Sequence, residues 1–226
     1  RYPDLGWDPA KSFDHISLLH KRTVALLVSS QLPIHNVMEY IAYARARPGE
    51  LNIAASGEGS IDHVMGVWFM NTTNTKATFI HYKSAGSAYT DLLAGRLQLS
   101  SVAYTAGGAG YPALVNSGKV RNIGTMNMER SGLAPEVPTL HEQGLTGFDV
   151  SSSVALLGPA KMPAAIVNKL HAEILKVSRM PQLKQQLGEA NSIVAGTPEV
   201  AQRAMATQED RYRKLGQELN IDFRED

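Results

Sequence analysis

The chain has 226 residues, of which 43% are hydrophobic and 19% charged, a composition typical of a globular protein and not of a disordered one. Its 22 basic and 21 acidic residues leave a formal net charge of +1, so the basic excess of a nucleic-acid-binding protein is missing. The lack of cysteine excludes disulfides, thiol catalysis and cysteine-ligated metals. The seven histidines show no metal-ligand spacing, so we expect neither a metal nor a cofactor.

The first predicted elements are two strands and a helix. Residues 1–12 contain two prolines and a glycine, which predicts an irregular start. Two apolar, β-rich runs follow, and after them a stripe of apolar residues at helical spacing that ends before Pro48. We therefore predict strands at 13–19 and 23–28 and a helix at 34–46.

Three strand–loop–helix units follow along the chain. Their strands are predicted at 51–54, 77–81 and 97–101, and a further strand at 120–125 closes the series. Because single helices separate these strands, we expect right-handed βαβ crossovers, which give a mainly parallel sheet with helices on both faces. Ligands of such sheets bind beyond the carboxyl ends of the strands.

The C-terminal third of the sequence changes pattern. A short helix is predicted at 140–143, and a strand at 148–157 is long enough to cross between two lobes. Consecutive helices at 164–178, 182–187 and 197–219 have no strands between them, which suggests packing on a second lobe. Five apolar residues of the first of these helices are predicted to face inward: Ile166, Val167, Leu170, Ile174 and Val177.

The loop after the strand at 51–54 has the features of an anion site. Gly57 and Gly59 allow positive φ angles and the close approach of a ligand, and Ser60 can cap the next helix so that its first N–H groups point outward. A helix start of this kind attracts an oxyanion, although an ordinary turn has the same sequence features. Nucleotide binding is disfavoured because Asp62 occupies the third glycine position of a dinucleotide fingerprint.

The loops after the next two strands are also rich in small residues. The second, at 82–87, adds the cation of Lys83 and the phenol of Tyr82 to a helix start, with a solvated lysine and a packed tyrosine as the alternative. The third offers the hydroxyls of Tyr104 and Thr105 on a flexible backbone, or is only a connector. Together the three loops outline a cleft that binds a small anion and supplies neither a general base nor a nucleophile.

Two functions of other classes stay open from the residues. Ser60 and His63 could act together in a serine hydrolase. However, the G-x-S-x-G elbow that exposes such a nucleophile is absent, and a loop-bracing histidine is the alternative. The effector-sensing domain of a transcription regulator also has a two-lobe layout.

Several segments, in order, resemble the substrate-binding receptors of tripartite tricarboxylate transporters, the Bug-type proteins. The family pattern Pro-Gly-x-Leu-x-(Tyr/Ile)-Ala-Ser-Gly-x-Gly-(Ser/Thr)-x-x-His is similar to the stretch from Pro48 to His63. Further matches lie at 82–83, 90–95, 117–121, 135–139 and 157–170. The family's first strand and its Pro-x-Gly-Gly-type loop have no counterpart before Arg1, so we expect an incomplete first lobe. Val102-Ala103 also departs from the Asp-Asn that is frequent in the family.

The resemblance implies an α/β fold of the type II periplasmic-binding-protein kind with two lobes. On this layout residues 1–25 are a remnant of lobe 1 and a crossing strand, and 26–149 form lobe 2 with the ligand loops. Residues 150–226 return by a second crossing strand to helices that pack on lobe 1.

The resemblance also implies a function without catalysis. We expect a periplasmic receptor, its signal peptide removed, that takes a small organic carboxylate to membrane permease subunits. The ligand would be a di- or tricarboxylate, an amino acid or an aromatic acid. The contacts implied for the ligand are Ser56, Gly57, Gly59, Ser60, His63, Lys83, Ser84, Ala85, Gly86, Tyr104 and Thr105.

Overall fold

A computed structural model describes residues 6–8, 11–104, 110–132, 134–150, 152–187 and 195–219. The strands of this part are β1 (Phe13–Arg22), β2 (Val24–Ser29), β3 (Asn52–Ala55), β4 (Thr78–His81), β5 (Leu99–Ala103), β6 (Val120–Thr125) and β7 (Ser152–Pro159). The helices are α1 (Val37–Arg45), α2 (Ile61–Thr73), α3 (Ala85–Leu93), α4 (Tyr111–Asn116), α5 (Ala164–Ser178), α6 (Pro181–Leu187) and α7 (Pro198–Glu218).

The larger sheet has five strands in the order β4-β3-β5-β2-β6. β3 is parallel to both β4 and β5, whereas β2 is antiparallel to both β5 and β6. Four of its strands therefore run in one direction, as predicted, and β2 runs against them. A single residue, Thr23, joins β1 to β2, and β2 enters the sheet at the edge where its parallel neighbours end.

The core lies on both faces of the larger sheet. All six residues of β2 are buried, and its five apolar side chains alternate between two apolar clusters. Leu26 and Val28 belong to the cluster with α1 and α2, and Ala25 and Leu27 belong to the cluster with α3 and α4. The prediction of helices on both faces is confirmed.

The smaller sheet pairs β1 with β7 in antiparallel register from Phe13↔Pro159 to Arg22↔Ser152, with two irregularities along the ladder. Helices α5 and α7 pack against β1. The N-cap of α7 is Thr197, whose side chain accepts from the N–H of Val200, as the Thr-Pro-Glu sequence at 197–199 indicates. None of the helices in the described ranges is both long and apolar enough to cross a membrane.

Two predicted elements near the end of the larger sheet differ in the structure. Residues 140–143 form turns and not a helix, with the side chains of Thr139 and Glu142 closing on each other's backbone N–H groups. The predicted strand at 148–157 starts later, at the beginning of β7. Phe148 and Val150 are instead buried in the α1–α2 cluster, where the N–H of Val150 donates to the carbonyl of Met126 at 2.6 Å.

The predicted inward stripe of α5 is wrong for three of its five residues. Ile166, Leu170 and Val177 are 47%, 38% and 42% exposed, whereas Val167 and Ile174 are half-buried. The reason is the packing of α5, whose described contacts are mainly with β1 and α6, so the rest of its apolar stripe faces solvent.

Helix α1 provides a matched test of this core. Ile41 is 5% exposed in the α1–α2 cluster, whereas Met38 on the same helix is 54% exposed. We expect Ile41→Ala to lower the free energy of unfolding by about 2–5 kcal/mol, because it removes buried methyl groups and leaves a cavity. Met38→Ala should change it by less than about 0.5 kcal/mol. Urea denaturation of both variants measures the difference, and equal losses would contradict this assignment of the core.

Candidate functional site

Two of the predicted ligand loops lie side by side at one edge of the larger sheet. The N–H of Tyr82, after β4, donates to the carbonyl of Ala55, the last residue of β3, at 2.8 Å. The third loop follows β5 at the same edge, since the N–H of Tyr104 donates to the carbonyl of Thr23 at 2.8 Å. Thr105 lies outside the described residues. This edge is formed by the carboxyl ends of β3, β4 and β5 and the amino end of β2.

The loop between β3 and α2 has the predicted backbone. Gly57 and Gly59 adopt φ angles of +144° and +67°. These angles lie in the region that favours glycine. Ser60 is the N-cap of α2: its hydroxyl oxygen accepts from the N–H of His63 at 3.4 Å and donates to the carbonyl of Gly57 at 2.5 Å. The predicted Ser60 cap and the predicted positive φ angles of the two glycines are confirmed.

A carboxylate of the chain itself is bound by this loop. Asp62, in the first turn of α2, accepts hydrogen bonds from both the backbone N–H and the hydroxyl of Ser56, each at 2.7 Å. The site is favourable because a negative charge near a helix N-terminus is stabilised. The two donors of Ser56 that we predicted for a ligand are therefore occupied by Asp62. A search of the sequence for a carboxylate in the first turn of the helix would have found this candidate.

The His63 ring supports the loop from the side. It is half-buried, and its Nδ1 accepts the N–H of Gly59 at 3.1 Å, so the neutral tautomer carries its proton on Nε2. The rings of Phe79 and His81 lie near the His63 ring, with centroids 4.6 and 5.8 Å away. Burial and then His81 lower the pKa of His63 from its ordinary value, while Glu58 and Asp62 oppose the shift.

The hydrolase alternative requires a hydroxyl within reach of an imidazole. Ser60 donates to a carbonyl of its own loop, and the ring nitrogen Nδ1 of His63 is occupied by a backbone N–H. The contact between these residues joins the Ser60 oxygen to the His63 backbone and not to its ring. The nucleophile–base pair of a serine hydrolase is thus not formed.

The second loop offers the more open set of donors. Ser84 caps α3 by accepting from the N–H of Ser87, and Lys83, Ser84, Ala85 and Gly86 are all exposed. As the first two residues of α3, Ala85 and Gly86 have N–H groups without an intrahelical acceptor. These N–H groups are therefore open to a ligand, and the exposed Lys83 precedes them in the chain.

The hydroxyl groups of two tyrosines at this edge form hydrogen bonds within the protein. Tyr82 donates to Asp91 at 2.8 Å, and burial together with this hydrogen bond raises the pKa of Tyr82 to about 12. Tyr104 is 1% exposed. Its ring centroid lies 3.9 Å from that of Tyr111, and its hydroxyl contacts Tyr111 and Asn122 at 3.2 and 2.5 Å. The predicted ligand contact at Tyr104 needs correction, because its hydroxyl is enclosed in the α3–α4 cluster.

The predicted contacts thus divide into occupied and open donors. In the first loop the N–H groups of Gly59 and Ser60 are bonded internally, to His63 and to Gly57. Across the described part of the chain, no acceptor contacts the N–H groups of Gly57, Glu58, Ala85 or Gly86. The described ranges also hold no cluster of three or more His, Asp or Glu side chains that could bind a metal ion. The arrangement can bind an anion by backbone donors, and it contains no paired acid and base.

Comparison with known proteins gives consistent matches. The model of a family described as tripartite tricarboxylate transporter family receptor matches residues 1–221. A UPF0065 protein of Cupriavidus necator is 33% identical over 185 residues, which are 82% of this chain and 55% of the relative. The chain therefore spans little more than half the length of that relative.

Solved structures match the fold. An R. palustris protein solved with adipate has a TM-score of 0.83 at 26% identity, over 97% of this chain and 73% of its own. The periplasmic binding protein BugD has a TM-score of 0.82 at 21% identity, over 98% of this chain and 74% of its own, which is a likeness of fold. The predicted fold class, that of a periplasmic binding protein, is confirmed.

The lowered pKa of His63 gives a pH test of the loop. Between the folded-state pKa and the ordinary value of 6.5 the unfolded chain binds more protons. Stability must therefore fall as the pH decreases through this interval. We expect His63→Asn, whose amide oxygen can still accept the Gly59 N–H, to show a smaller loss between about pH 7.5 and about pH 5.5. Denaturation of the parent and the variant at each pH measures this loss of unfolding free energy. Equal losses would exclude His63 as the source, since His15 is common to both chains.

Proposed function

Because the chain belongs to the tripartite tricarboxylate transporter receptor family, we propose that it binds a small organic carboxylate at the edge formed by β3, β4 and β5. Binding involves no chemical change of the ligand. The open N–H groups of the loop after β4 make the first contacts with the carboxylate, and the loop after β3 lies beside them.

The observation that carries this proposal is a pair of adjacent helix starts with solvent-facing donors. The N-termini of α2 and α3 follow neighbouring parallel strands, so their dipoles act on the same region of solvent. The ammonium of Lys83 adds a positive charge there. The carboxylate of Asp62 on Ser56 supports the choice of ligand, because it shows that this backbone geometry accommodates a carboxylate group.

The wider role follows from the family. We infer that the protein is a periplasmic receptor that delivers its acid to the membrane permease subunits of the transporter. The R. palustris neighbour, solved with adipate, supports an organic acid as ligand.

Calorimetry and thermal shift with mono-, di- and tricarboxylates, amino acids and aromatic acids test the proposal. We expect at least one class of acid to bind and to raise the melting temperature, because a ligand that binds only the folded state stabilises it. A folded chain that responds to none of these acids would contradict the proposal.

A matched pair of variants tests the donor of Ala85. Proline suits the first position of a helix, and Ser84 before it is extended, at φ −147° and ψ 149°, as a residue preceding proline requires. Ala85→Pro therefore removes one N–H with little strain. It should weaken binding of the acid about tenfold or more, the effect of a lost hydrogen bond to a charged group. Ala85→Ser keeps the N–H and should bind like the parent, and equal affinity of the proline variant would exclude this contact.

A further inference from the structure

The ring of His63 holds one backbone donor of the loop after β3 by a contact that depends on the protonation of the ring. In the neutral ring the unprotonated Nδ1 accepts the N–H of Gly59 at 3.1 Å. Both nitrogens of an imidazolium are donors, so a proton on Nδ1 sets two N–H groups against each other. The bond between ring and loop is then lost, and the N–H of Gly59 needs another acceptor.

This donor belongs to a loop that already has open N–H groups. Gly59 immediately precedes the N-cap Ser60, and the N–H groups of Gly57 and Glu58 have no acceptor in the described part of the chain. The bond from Gly59 to the His63 ring is only partly buried. Protonation of His63 therefore adds a released backbone donor and a positive charge to a loop that is accessible to a ligand.

Three titratable groups surround the His63 ring. Asp62 already accepts two hydrogen bonds of 2.7 Å from the loop. Glu58 is exposed, and the exposed His81 has its ring centroid 5.8 Å from that of His63. Phe79 lies on another side, with its centroid 4.6 Å away. Among the described residues none of these groups bonds to Nδ1, so they influence the charge of the ring and leave its contact with the loop unchanged.

A carboxylate is the acceptor that suits the protonated arrangement. Its two oxygens can accept from two donors, here Nδ1–H of His63 and the N–H of Gly59. Its negative charge also offsets the charge that the ring has gained, which a neutral acceptor does not do. An acid bound in this way raises the proton affinity of His63. By linkage, a proton on His63 raises the affinity for the acid by the same factor.

We propose, on the basis of the proposed function of the same edge, that His63 couples the binding of the acid to the uptake of a proton. The proton comes from solvent and adds to Nδ1. The ring releases the N–H of Gly59, and the carboxylate accepts from both groups. His63 thus braces the loop when neutral and contacts the ligand when protonated, which makes the affinity of the site dependent on pH.

The direction of this dependence follows from the pKa of His63 in the two states. In the ligand-free chain burial and then His81 lower this pKa, while Glu58 and Asp62 oppose the shift. In the complex the negative charge of the acid raises it. Between the two pKa values binding takes up a proton, so the affinity for the acid increases as the pH falls. Carboxylic acids of ordinary pKa, about 4, remain ionised at about pH 6.5.

Calorimetry of the parent chain with adipate, at about pH 7.5 and about pH 6.5, tests the coupling in the range where histidine titrates. Two cationic buffers of different ionisation enthalpy are compared, because the difference in binding heat counts the protons taken up. We expect uptake of a measurable fraction of one proton at the lower pH. The affinity should rise by about twofold to tenfold, since tenfold is the limit for one proton over one pH unit.

Two matched variants identify the group that takes up the proton. His63→Asn keeps an acceptor for the N–H of Gly59 and has no imidazole, so both the proton uptake and the pH dependence should disappear. His81→Asn removes the neighbouring imidazole and keeps Nδ1 of His63, so the uptake should remain. Uptake that persists in His63→Asn would assign the proton to another group and overturn the inference, as would uptake that disappears only in His81→Asn.

The outcomes separate the coupling from the proposed function. If adipate does not bind, the same measurement is made with another acid that does, and if no carboxylate binds, the proposed function fails. If an acid binds the parent chain without proton uptake and with equal affinity at both pH values, the coupling is wrong while carboxylate binding stands. The proton count of the parent chain requires no variant, so it decides the question even where a variant does not fold.

Discussion

Burial of β2 on both faces is the constraint on which the rest of the structure depends. Every residue of this strand is buried, and its alternate side chains hold together the two apolar clusters on opposite faces of the sheet. β2 follows β1 almost without a break, and its direction is opposite to that of its neighbours. The same feature brings the end of β1 to the edge where the parallel strands finish. Core packing and the layout of the candidate site thus have one origin.

The candidate site contains hydrogen-bond donors that already bond within the protein and backbone N–H donors that have no acceptor among the described residues. The loop after β3 is stiffened by its own contacts, from Asp62 to Ser56 and from His63 to Gly59. The loop after β4 is held by Ser84, whose cap leaves the N–H groups of the first helical residues exposed. A receptor needs both conditions, since a fixed backbone lowers the entropy lost on binding and open donors provide the contact.

The sequence predicts the helices and strands better than it predicts the contacts of individual side chains. β6 and α5 have the predicted bounds, because hydrophobic spacing is a local property of the chain. Hydrophobic spacing does not reveal the direction of β2 in the sheet. It also does not reveal which element covers an apolar stripe, and for this reason the exposed face of α5 was predicted to lie inward. Tyr104 was misplaced for a related reason: a tyrosine at the end of a strand suits a ligand loop and a core equally.

The hydrogen bonds from Ser56 to Asp62 affect both the affinity and the release of any acid that uses the same donors. The tethered carboxylate of Asp62 competes with the acid at a high effective concentration. It lowers the apparent affinity for the acid in proportion to the fraction of time that Asp62 occupies the donors. Its return to Ser56 would also replace the departing acid, so that release leaves no bare donors behind. Weakened retention of this kind is consistent with the proposed role of a receptor that releases its acid.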